Sequence, residues 1–137
     1  MMKKNIIATL LGFIATFIAN TVLAMTIIGP FLNAKIGISR DPEKDGLNFP
    51  AILLGYFLLT IVLVWLVPLV KGKTWVQKGL IAGAMAGLAV NVAGHLITAG
   101  WSIADGTSML FAGIIDSFAT IIGAIVIAFI FRNNEAK

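Results

Sequence analysis

The chain has 137 residues, of which 59% are hydrophobic and only 12% charged, with a mean hydropathy of +1.01; a soluble domain carries about a quarter charged residues, so that class is excluded. There is no cysteine, which removes disulfides, thiol catalysis and cysteine metal sites, and a single histidine with six carboxylates gives no basis for a metal centre or other cofactor. The net charge of +4 does not indicate nucleic acid, because the basic residues sit at the ends of apolar blocks and form no stripe interleaved with aromatic residues.

Four blocks, each of about 20 or more residues, are long enough to cross a hydrocarbon core about 30 Å thick as helices. They cover about 5–28, 50–70, 76–99 and 108–131. None shows the period-two alternation of a membrane strand. The expected fold is all-α: a single domain, 1–137, forming a four-transmembrane-helix bundle that runs up-down-up-down.

The first block follows Lys3 and Lys4 but is too long for the apolar core of a signal peptide, and Ala24-Met25-Thr26 leads into more apolar sequence. It is read as a spanning helix carrying one polar residue, Asn20. The connection 29–49 follows. Its GISRDPEKDGLNFP segment (Gly37 to Pro50) holds three of the six acidic residues. It lacks the ligand spacing of a calcium loop and reads as a solvated turn. The second block starts near Pro50, a position that tolerates proline, and contains Tyr56. Pro68 lies in its last turn, where it can end the helix.

Between the second and third blocks, GKT (Gly72 to Thr74) lacks the upstream glycine and the strand of a phosphate-binding loop. The third block places Gly79, Gly83, Gly87, Asn91 and His95 at steps of four, on one inclined ridge. Small residues along such a ridge let another helix approach closely. This ridge can seat a neighbour within the bundle or form a homodimer seam. The fourth block carries Gly113, Asp116, Thr120 and Gly123 at steps of three, four and three. Asp116 is the only carboxylate inside any block. An ionised carboxylate at membrane depth costs roughly 3 kcal/mol or more and usually faces a partner or water. Ser117 adjoins Asp116 but points about 100° away, so no Ser-His-Asp set is assembled.

Lys3, Lys4, Lys71, Lys73, Lys78, Arg132 and Lys137 fall on one side of this topology, and Lys35, Arg40 and Lys44 on the other. That imbalance puts both termini in the cytoplasm and the 29–49 connection outside. At ~1.5 Å per residue, His95 then lies about 7 Å and Asn91 about 13 Å below the outer end of the third helix. Asp116, Asn20 and Tyr56 fall at about 9–12 Å on their own helices. The expectation is an outer-half polar pocket lined by Asn20, Tyr56, Asn91, His95 and Asp116, with His95 and Asp116 as a hydrogen-bonded pair.

The pattern from Trp75 to Leu88 (W-x-x-K-G-L-x-x-G-x-x-x-G-L), the stretch GIIDSFATIIGAIVIAF (Gly113 to Phe129) and GPFLNAKIG (Gly29 to Gly37) resemble a family of small bacterial four-helix membrane proteins of unknown function. The resemblance implies a four-helix fold with a glycine-rich third helix and an aspartate on the last. It implies no activity. Here Val92, Ala93 and Gly94 stand where that family has aromatic residues.

Three functions are consistent with the sequence. The first is a non-enzymatic protein of a bacterial inner membrane that binds or passes a small polar or amphipathic ligand through the pocket. A conducting path through so small a chain would need a homo-oligomer. The second is an accessory subunit that packs Gly79, Gly83 and Gly87 against a larger membrane complex. The third is a lipid- or isoprenoid-modifying enzyme with His95 as acid–base. Lipid is a partner in all three.

Overall fold

The computed structural model describes residues 2–38 and 44–132. It is helical throughout, with no strand among those residues. Four helices are long and apolar enough to cross a membrane: α1 (Met2–Phe31), α2 (Phe49–Leu69), α3 (Trp75–Trp101) and α4 (Gly106–Phe131). Most of the large apolar side chains on their outer faces are exposed, Ile18, Leu54, Leu88 and Phe118 among them. That is the expected surface of a bundle bathed in lipid.

The helix starts are set by local chemistry. Asn48 accepts a hydrogen bond from the Ala51 amide ahead of Pro50, which fits the first turn of α2 because its missing N–H has no helical partner there. Thr74 accepts from the Gln77 amide while Gln77 Oε1 accepts from the Lys73 amide, so the two side chains serve two donors at the start of α3. Asp105 accepts from the Ser108 amide at 2.7 Å and caps α4. The hydrogen bonds from the Ser108 hydroxyl and amide hold the Asp105 carboxyl below the usual carboxylate range, with a smaller contribution from Lys35.

Two helices depart from regular α geometry. Residues Ala24–Ile28 of α1 and Gly87–Val92 of α3 form π turns. The first precedes Pro30, which has no N–H to donate, and the helix continues beyond the expected boundary at Ile28 to Phe31. A further helical turn, Asn33–Ile36, ends at Gly37, whose φ of 77° favours glycine. The segment expected as a solvated turn falls in part on residues 39–43, which lie outside the described residues.

The helix on which the bundle is built is α4. Both α1 and α3 pack along it, and α2 rests on α1 and on α4. Contacts rise along one helix as they fall along the other. Gly79, Gly83 and Gly87 of α3 meet Ile125, Ile121 and Ser117 of α4, and Gly113 of α4 meets the backbone of Asn91 and Val92. On the other side, Gly12 of α1 meets Ile127, and Thr16 meets Gly123. Leu63, Val67, Ala82, Ala86, Ala124, Ile127 and Phe131 belong to one buried apolar cluster at the Trp75 end. Ile36, Ala104, Met109 and Ala112 form a second at the opposite end.

A methyl group added at Gly83 would lie 2.5 Å from the Ile121 Cα, whereas one added at Gly94 meets nothing within 4 Å. Gly83→Ala is therefore expected to destabilise the detergent-solubilised protein by about 1–3 kcal/mol, with Gly94→Ala neutral or stabilising by up to about 1 kcal/mol. Denaturation midpoints of both variants check this. Asp105 gives a pH test with a defined sign. Its folded pKa is depressed, so its contribution is complete above the unfolded value of about 3.9 and is lost as pH falls through the folded value. Acid unfolding of Asp105→Asn should be less steep below about pH 4.

Candidate functional site: a polar cluster beside an apolar groove

Close approach of α3 to α4 puts the polar side chains of the two helices within reach. Asn91 Nδ2 donates to Thr120 Oγ1 at 2.8 Å, and His95 Nε2 lies 3.5 Å from Asp116 Oδ2. The Thr120 hydroxyl also donates to the Asp116 carbonyl, at 3.3 Å. The π turn at Gly87–Val92 widens α3 where it reaches Asn91, and the Asn91 carbonyl accepts from His95 Nδ1 at 2.7 Å. A carbonyl can only accept, so the proton of the imidazole sits on Nδ1. Nε2 then faces a carboxylate oxygen, and the contact is attractive only when one proton is held by His95 Nε2 or by Asp116. At 3.5 Å it is long for an N–H···O hydrogen bond.

The other two helices add to the cluster. Asn20 Nδ2 of α1 donates to the Tyr56 hydroxyl of α2. Asn20, Tyr56 and Asn91 line one cavity. The five residues singled out in the sequence thus lie in one neighbourhood, all half-buried. Asn20–Tyr56 and His95–Asp116 are paired, and Asn91 turns its side chain to Thr120 instead of to His95 or Asp116. Thr120 is nearly fully buried and belongs to this network. Its place on the Gly113–Asp116–Thr120–Gly123 face is the sequence signal for it.

Beside the cluster lies a groove of about 810 Å³ bounded by α1, α2 and α3. It lies where α2, which makes most of its contacts with α3 along Trp75–Ala86, faces Val90 and Asn91 farther along that helix. Its walls are mainly apolar, with Phe17, Met25, Ile52 and Leu59 among them, and Asn20, Tyr56 and Asn91 supply its polar groups. Phe17 packs edge-on to Tyr56 with ring centroids 5.8 Å apart, and Phe13 stacks on Phe17 at 6.0 Å. His95 and Asp116 do not line the groove and stand behind its polar end. Phe17 carries no polar signal, and only its helical spacing from Phe13 marks it in the sequence. Among the described residues no group of three or more His, Cys, Asp or Glu is gathered as a metal site would need.

Gly79, Gly83 and Gly87 all lie against α4. No protein-family model, curated protein or solved structure matches the chain.

The pairing across α3 and α4 has a measurable strength. A double-mutant cycle with His95→Leu and Asp116→Leu, read as denaturation midpoints in detergent, should give a favourable coupling of about 0.6 kcal/mol and no more than about 1.7. Zero coupling would mean the two side chains do not interact.

Proposed function

We propose that this chain is a non-enzymatic membrane protein that binds, and in an oligomer passes, a small amphipathic ligand through the groove between α1, α2 and α3. The observation that carries the reading is the groove itself. A mainly apolar cavity of about 810 Å³ with a few polar groups gathered at one end has the size and the lining of a small-molecule site. The separation of α2 from the second half of α3 supports entry from the lipid side.

The topology that goes with this reading is up-down-up-down with both termini cytoplasmic. It is supported by the opposed order of contacts along α3 and α4 and along α1 and α4. It is supported also by the basic residues Lys3, Lys4, Lys71, Lys73, Lys78 and Arg132 at one end of the helices. Asn20, Tyr56, Asn91, His95 and Asp116 then lie in the outer half. A bacterial inner membrane is the setting that the family resemblance favours. An accessory role through the glycine ridge has less support, because α4 already covers that ridge. For an acid–base enzyme, His95 stands behind the groove and not on its wall.

Gly55 lines the groove, and a side chain added there meets nothing within 4 Å. Gly55→Phe should fill the cavity and leave the bundle intact. The expected outcome is at least about tenfold weaker retention of dodecanol by the protein in phosphatidylcholine nanodiscs, measured against empty discs, with an unchanged denaturation midpoint. Equal retention by wild type and Gly55→Phe would contradict the proposal.

A further inference from the structure

At the polar end of the groove and just behind it, two side-chain oxygens have no donor. Asn20 Nδ2 gives one N–H to Tyr56, Asn91 Nδ2 one to Thr120, and His95 Nδ1 its N–H to the Asn91 carbonyl. Two oxygens remain, Asn20 Oδ1 and Asp116 Oδ1, both covered and neither with a hydrogen-bond partner. Buried acceptors in a folded protein are ordinarily paired with a donor, and at membrane depth bulk water is not at hand to supply one. Asp116 is also the only carboxylate in the four spans, and the only lysines there, Lys3, Lys4 and Lys78, stand in first helical turns. No lysine or arginine of this chain lies along the spans at its depth.

Resting on the groove reading above, we infer that the ligand it selects carries a hydrogen-bond-donating head, a hydroxyl or a protonated amine, on an apolar chain. The chain lies along Phe17, Ile52 and Leu59, and the head donates to the unpartnered oxygens, an ammonium to both Asn20 Oδ1 and Asp116 Oδ1 and a hydroxyl, with its single proton, to Asp116 Oδ1. A carboxylate or phosphate head brings only acceptors and a charge of the same sign as Asp116. A quaternary ammonium head has no N–H or O–H to give. Both unpartnered oxygens are covered, so the head turns a lining side chain aside to reach them. Tyr56, which lines the groove and holds Asn20, is that side chain.

Four probes with one chain length separate the possibilities: dodecanol, dodecylammonium, dodecyltrimethylammonium and dodecanoate. Each is measured by retention on wild-type protein in phosphatidylcholine nanodiscs against empty discs. Dodecanol, dodecylammonium or both should be held at least about tenfold more tightly than the other two, the factor expected of a donor bonded to a charged group. Whichever donor head is preferred identifies the source, hydroxyl or amine, and either supports the inference. Asp116→Leu, which replaces a polar group in the bundle with an apolar one of similar size, should remove most of the preference, and Asn20→Leu should reduce it. If wild type holds all four heads alike, or if the preference survives both substitutions, the donor-head inference is overturned while the groove reading stands. If no probe is retained above the level of empty discs, the groove reading fails and the inference with it.

Discussion

Gly79, Gly83 and Gly87 let α4 lie against α3 with backbone almost touching backbone, and the juxtaposition of Asn91 with Thr120 and of His95 with Asp116 follows from that contact. Between helices in lipid there is no hydrophobic drive to association, because the tails are as apolar as the side chains. Close packing and interhelical hydrogen bonds must hold the bundle instead. The glycine ridge supplies the first. The second comes from Asn91 with Thr120, beside which His95 faces Asp116 at 3.5 Å; both pairs are within reach only because the helix axes are so close. On the opposite face, Thr16 against Gly123 and Gly12 against Ile127 bring α1 onto the same helix. Asp116 thus faces His95 of α3, a contact that could not be built if α3 stood farther off.

The two apolar clusters divide the work along the bundle. The larger one, at the Trp75 end, is where α2 closes against α3. Away from that end α2 parts from α3, and the groove opens beside the polar cluster. Dense packing at one end and an open cleft beside the polar cluster are the arrangement on which the proposed ligand site rests. The π turn at Gly87–Val92 falls where packing gives way to the cleft. Such turns widen the helix and often mark functional positions.

Much of this was legible in the sequence because hydrocarbon imposes simple rules. Four long apolar blocks gave four helices, and a ridge of glycines at steps of four marked a face of close approach. Depth arithmetic drew attention to Asn20, Tyr56, Asn91, His95 and Asp116 as residues at one level, and in the structure His95 and Asp116 stand 3.5 Å apart. Other features were beyond that arithmetic. Which helix the ridge faces depends on the rotation of two helices about their axes, and block lengths carry no such information. The π turn shifts the angular position of Asn91 and His95 relative to a uniform helix, and no residue type specifies it. The groove arises from the splay of α2 from α3, a tertiary property. Its Phe17 wall resembles any lipid-facing aromatic until Tyr56 is seen packed against it.

His95 is the single histidine of the chain, so one pair of nitrogen resonances reports directly on the center of the cluster. The measurement is solid-state NMR on protein in bilayers with 15N-histidine and 13C-labelled aspartate carboxyl groups. The structure predicts a protonated Nδ1 and a dipolar coupling from Nε2 to one aspartate carboxyl carbon, removed by Asp116→Leu. A proton on Nε2 alone, or no coupling to any aspartate carboxyl, would contradict the arrangement of α3 on α4 from which the whole reading is built.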